Sequence, residues 1–133
     1  MNDLIVMPDA ERMVIEHLSS VLVPPVSLTV PASRPALFLT VQRIGGPRLN
    51  LVADNAMLTL EAWGGGPTAA KELLADARAQ LHALRGSALD GVAVYQVTEI
   101  SGPVNLPDPE SNQARYTQAF QVALRGATPE DES

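Results

Sequence analysis

The sequence predicts an α+β domain: a mostly antiparallel sheet of about four to six strands, with two helices packed in a single layer on one face. Three observations carry this prediction. Residues 56–63 alternate, so that Leu58, Leu60 and Ala62 fall on one face and Met57, Thr59, Glu61 and Trp63 on the other. From Ala70 the period changes to a helical one, with Ala70, Leu73, Leu74, Ala77, Leu81 and Leu84 on one stripe and Lys71, Glu72, Asp76, Arg78 and His82 opposite it. Glycines 64–66 and Pro67 separate the two periods, and further alternating runs lie on both sides of this unit.

The remaining elements follow in chain order. Residues 8–22 read as an amphipathic helix, with Pro8 at a first helical position, Asp9 and Glu11 at the positive end of the dipole, and Pro24 and Pro25 ending it. His17 lies on that helix and reads as a surface or partly packed side chain, since the adjacent Glu16 points elsewhere. Residues 26–35 form a short extended piece. Residues 36–43 form a buried strand, 48–53 a returning strand closed by Asp54 and Asn55, and 56–63 the next strand of a meander. After the helix, 92–100 and 115–125 alternate again. Residues 102–114, with prolines at 103, 107 and 109, show no period, and a connection of that kind is usually functional or disordered.

The length of 133 residues fits one domain, placed at 1–126, followed by an acidic tail at 127–133 that reads as disordered. There is no cysteine, which removes disulfides, thiolate metal sites and a cysteine nucleophile together. The formal charge is −6, but Glu130, Asp131 and Glu132 sit in the tail, so the domain itself is only mildly acidic. That balance argues against a sequence-independent nucleic-acid binder, which needs a basic face to replace phosphate counterions. No window approaches the roughly 20 apolar residues of a membrane span, and the first residues lack the basic start and apolar run of a secretory signal. The expectation is a protein made in a cytoplasm, with no membrane partner.

No residue pattern marks chemistry. The glycine-rich turn lacks the Gly-Lys-Ser/Thr order of a phosphate-binding loop, Lys71 comes a turn late, and Pro67 removes a donor. His17 and His82 lie on different helices, carboxylates are scattered, and no serine sits in a nucleophile motif. The expectation is therefore no enzyme, no catalytic or metal-binding residue and no cofactor. Two stretches carry more than a connection needs. The hairpin at Arg43, Ile44, Arg48 and Leu49 combines cations with aliphatics around Gly45, Gly46 and Pro47, and the proline-rich loop carries Leu106 and Asp108 before Arg115.

Taken together, a strand ending in Trp63 before an Ala-rich helix, Gly102-Pro103 followed by Pro107-Asp108, and Arg115-Tyr116 opening the last strand resemble the small tail terminator proteins of long-tailed bacteriophages, also called head-to-tail joining or tail completion proteins. The resemblance covers residues 5–126 through element order and these loose motifs. It implies a homohexameric ring in the virion, at the head-proximal end of the tail, assembled in the host cytoplasm. Such a ring caps the tail tube, ends its polymerisation and offers a surface to the head connector or stopper protein, and DNA passes through its lumen without specific binding. A ring needs two different patches per subunit, and Arg43, Ile44, Arg48, Leu49, Leu106, Asp108 and Arg115 are the candidate interface residues. The alternatives are a small cytoplasmic α+β enzyme or ligand-binding domain with a site assembled by folding, and another head-tail connector.

Overall fold

A computed structural model describes residues 4–127. Its elements in order are α1 (Ala10–Val21), β1 (Val26–Ser27), β2 (Leu37–Gly45), β3 (Ala53–Gly64), α2 (Gly66–His82), β4 (Ala88–Leu89), β5 (Val92–Glu99), β6 (Val104–Asn105) and β7 (Arg115–Arg125). The fold is α+β, with one sheet in the order β1-β2-β3-β7-β5-β4 and β6 added to β7. All pairings are antiparallel except β1 with β2. The sheet has seven strands, more than the four to six expected, because β1, β4 and β6 are two-residue additions to four long strands.

β3 and β7 form the spine, paired continuously from Ala53↔Arg125 to Trp63↔Arg115. Their alternation sends Leu58, Leu60 and Ala62 of β3, and Phe120, Val122 and Leu124 of β7, to the same side. Leu39 and Val41 of β2 join them through the register Leu39↔Ala62 and Val41↔Leu60. Against this face pack the α2 stripe of Ala70, Leu73, Leu74, Ala77 and Leu81 and the α1 residues Met13, Val14 and Leu18, all buried in one core. Burying each large aliphatic here contributes about 1.5–3 kcal/mol relative to exposure. Small residues at Ala70 and Ala77 let the helix lie close to the sheet.

α1 starts at Asp9, whose carboxylate accepts the Arg12 N–H at 3.1 Å, so Pro8 precedes the cap instead of opening the helix. Its stripe is Ala10, Met13, Val14 and Leu18, whereas Val21 is exposed. α2 starts after Gly65, which caps it at φ 68°, and Pro67 lies in its first turn. Gly64, at φ 89°, is required by a close crossing: a Cβ there would collide with the Ala36 carbonyl.

Two expectations are corrected by the backbone. Residues 48–53 are not a separate returning strand; 49–52 form bends, and the return strand is the single long β3, which begins at Ala53 and contains Asp54 and Asn55 in its ladder. Asp54 can occupy a buried strand position because Arg43 neutralises it there. Residues 102–114 are not structureless either: Val104 and Asn105 pair with Thr117 and Tyr116, folding the loop back onto β7. At the other end of β7, Ala127 exchanges two backbone hydrogen bonds with Val6, so the domain includes Ala127, the first residue of the stretch assigned to the tail. The tail residues 128–133 lie outside the described residues.

Candidate interface surfaces

The seven candidate residues fall at the two ends of the β3–β7 spine. Arg48 and Leu49 adjoin the start of β3, with Arg43 and Ile44 further along its edge opposite Leu58 and Met57, while Leu106, Asp108 and Arg115 surround the start of β7. Over the ten steps of β7 at about 3.4 Å each, these ends stand about 34 Å apart. The structure therefore brings the candidates together as two groups.

At the first end, Arg43 is internal to the hairpin. Its guanidinium donates to both Asp54 carboxylate oxygens at 2.7 and 3.0 Å, and to the carbonyls of Gly45 and Gly46 at 2.9 and 2.6 Å. This forked contact draws Asp54 below the ordinary carboxylate range and raises Arg43. The Arg43 backbone N–H, on the β2 edge beyond β1, donates at 2.6 Å to Glu11 in the first turn of α1, which closes that edge. Ile44 is the extra residue of a bulge, since the register steps from Arg43↔Leu58 to Gly45↔Met57. The bulge turns its side chain outward.

The same end of the spine carries further exposed aliphatics that sequence reasoning did not single out. Leu51 is 80% exposed, and Val6 and Val52 are also exposed. They are collected by backbone bonds: Gly126 donates to Val52 at 2.7 Å, Val6 pairs with Ala127, and the Arg48 side chain donates to the Ile5 carbonyl at 3.1 Å. The signal was present in residues 48–53, whose apolar positions were assigned to a strand.

At the other end, Asp108 serves its own loop. It accepts from the Ser111 hydroxyl at 2.6 Å and from the backbone N–H groups of Glu110 and Ser111, and these bonds hold its carboxyl below the usual range. Arg34 reaches the same loop, donating to the Gln113 side-chain amide oxygen Oε1 at 2.7 Å and standing 3.6 Å from Asp108. Arg115 donates to the Leu106 carbonyl at 2.8 Å and lies over the Trp63 ring, 4.9 Å from its centroid. Trp63 stacks on Phe38 and donates to the Thr40 hydroxyl at 3.1 Å, which satisfies its buried N–H. Leu106 and Val104 remain exposed on the loop.

Of the seven candidates, then, Arg43, Asp108 and Arg115 hold loops in shape, while Ile44, Arg48, Leu49 and Leu106 face outward. A third polar cluster ties α2 to the sheet. Glu99 accepts from Arg78 at 2.6 and 2.7 Å, shares a bond with His82 at 2.7 Å, and accepts from Gln118 at 3.1 Å. The Arg78 fork, with His82 behind it, pulls the Glu99 carboxyl from 4.5 to about 2. Among the described residues no group of three or more His, Cys, Asp or Glu is arranged to hold a metal ion, and no helix is long and apolar enough to cross a membrane. No protein-family model matches the chain, and no curated protein matches it.

Proposed function

We propose that this protein is a structural subunit of a bacteriophage virion, a tail terminator that assembles into a homohexameric ring, caps the tail tube and presents a surface to the head connector or stopper protein. The observation that supports this reading most is the pairing of two unlike outward surfaces at opposite ends of one stiff spine. One carries Ile44, Leu49, Leu51 and Val52 with Arg48, and the other carries Val104 and Leu106. Each is built on loops braced by internal ion pairs and backbone bonds, so its shape is fixed before contact and little ordering entropy is lost on binding. Unlike patches suit a subunit that meets a copy of itself through one surface and a different protein through another.

Addition of the purified protein to polymerising tail tubes tests the reading. The expected result is tubes that stop elongating and carry density at one end in negative stain. Tubes that grow unchanged, with the protein free in solution, contradict it. Density at the head vertex and none on tubes favours the neighbouring connector role, and a monomer that binds a small ligand in place of tubes favours the binding-domain alternative.

A further inference from the structure

Two surfaces of this molecule carry opposite charges beside exposed aliphatics, and they lie too far apart to meet within one chain. The first is a groove of about 370 Å³ between the C-terminal end of α1 and the outer flank of α2. Val21, Val23, Leu37 and Leu73 line it, with Glu72 and Asp76 on its rim. Val23 is 99% exposed, an unusual position for a large aliphatic that no described residue covers. Glu72 and Asp76 stand four residues apart on α2, a like-charge pair that weakens an isolated helix, and neither forms an ion pair among the described residues. A cation seated between them would relieve that repulsion.

The second surface is the hairpin end, where exposed Ile44, Leu49 and Leu51 flank the exposed Arg48. Arg48 donates to the Ile5 carbonyl and forms no ion pair among the described residues. Leu37 at the groove and Gly45 at the hairpin are the two ends of β2, eight steps of about 3.4 Å apart, or about 27 Å. The contact must therefore join two molecules.

We propose that the hairpin end of one copy seats in the α1–α2 groove of the next, its aliphatics against Val21, Val23 and Leu73 and Arg48 over Glu72 and Asp76. The inference rests on the ring reading above and assigns the ring contact to hairpin and groove, which leaves the Val104 and Leu106 surface to meet the tube or the connector. Because hairpin and groove differ, the contact is head-to-tail, and each subunit uses one of each.

Charge reversal tests it, read by native mass spectrometry and sedimentation. Arg48→Glu in one variant, and Glu72→Lys with Asp76→Lys in another, each juxtapose like charges and should raise the dissociation constant about a hundredfold. Both variants should keep the wild-type circular dichroism spectrum, since all three side chains are exposed. Mixing them pairs a reversed hairpin with a reversed groove and a native hairpin with a native groove, so assembly returns in oligomers holding equal numbers of each. Val23→Asp probes the groove independently and should weaken assembly about tenfold. If the wild type assembles and the reversals assemble equally well, or the mixture stays dissociated, the contact is wrong while the ring stands. A wild type that stays monomeric at every concentration overturns both.

Discussion

Asp54→Asn separates a brace from an interface residue. The substitution keeps the size of a side chain only 3% exposed and removes its charge. It abolishes the ion pair with Arg43 and leaves one neutral amide oxygen to accept where two charged oxygens accepted at 2.7 and 3.0 Å. A hydrogen bond to a charged group contributes about 1.5–3 kcal/mol. The Arg43 side chain is 31% exposed and recovers some of its hydration, so the loss is about 2 kcal/mol. For a domain of this length that lowers Tm by about 8 °C. Urea unfolding followed by circular dichroism at pH 7 measures the difference directly. The pH dependence has a definite sign: Asp54 titrates below its ordinary 3.8 in the folded protein, so its stabilisation is complete above that pH and is lost as the pH falls through the folded value. The gap between wild type and variant should therefore narrow in acid. Equal stability at pH 7, or a gap that widens as pH falls, would refute the bracing role.

Two further outcomes follow from the same geometry. Glu99→Gln should destabilise the protein by about 1–2 kcal/mol at pH 7, discounted for the partly exposed Arg78, and should flatten the loss of stability that wild type shows as Glu99 takes up its proton between 4.5 and about 2; acid titrations that superimpose would show that Glu99 does not link α2 to the sheet. Ile44→Asp with Leu49→Asp should weaken assembly at least about tenfold while leaving Tm within about 2 °C of wild type, because both side chains are exposed and surface changes are nearly neutral for folding; unchanged oligomers in sedimentation would reduce the hairpin to a plain turn.

The regions of the fold that periodicity controls were legible in the sequence. Leu58, Leu60 and Ala62 do face Leu73, Leu74, Ala77 and Leu81, because burial on one side imposes a period of two on the strand and 3.6 on the helix. Positions where a tertiary contact outweighs local preference were not legible. Asp54 and Asn55 read as the close of a strand because such residues are depleted in strands, yet Arg43, eleven positions away in sequence, holds Asp54 inside one. In β5 a strict alternation puts Tyr95 and Val97 on one face; a bulge between Val94 and Gln96 instead leaves Val94 and Val97 buried and Tyr95 exposed. Bulges leave no composition signal in a single chain. The candidate surfaces were legible as places, since the glycine-proline hairpin and the proline-rich loop do lie at the surface, but the roles of single residues were not. Arginines next to aliphatics read alike whether they face a partner or a carboxylate of their own chain. Both arginines act on Asp54, but only Arg43 forks onto its carboxylate, while Arg48 donates to the Ile5 carbonyl and stays exposed.

If unlike surfaces of one subunit join in a closed ring, the number of subunits is fixed by geometry and not by concentration. Native mass spectrometry of the wild-type protein across a concentration series reads that number. The expected spectrum holds one dominant closed species, a hexamer, whose subunit number does not grow as protein is added. A monomer at every concentration, or a ladder of species that lengthens without limit, contradicts the closed ring.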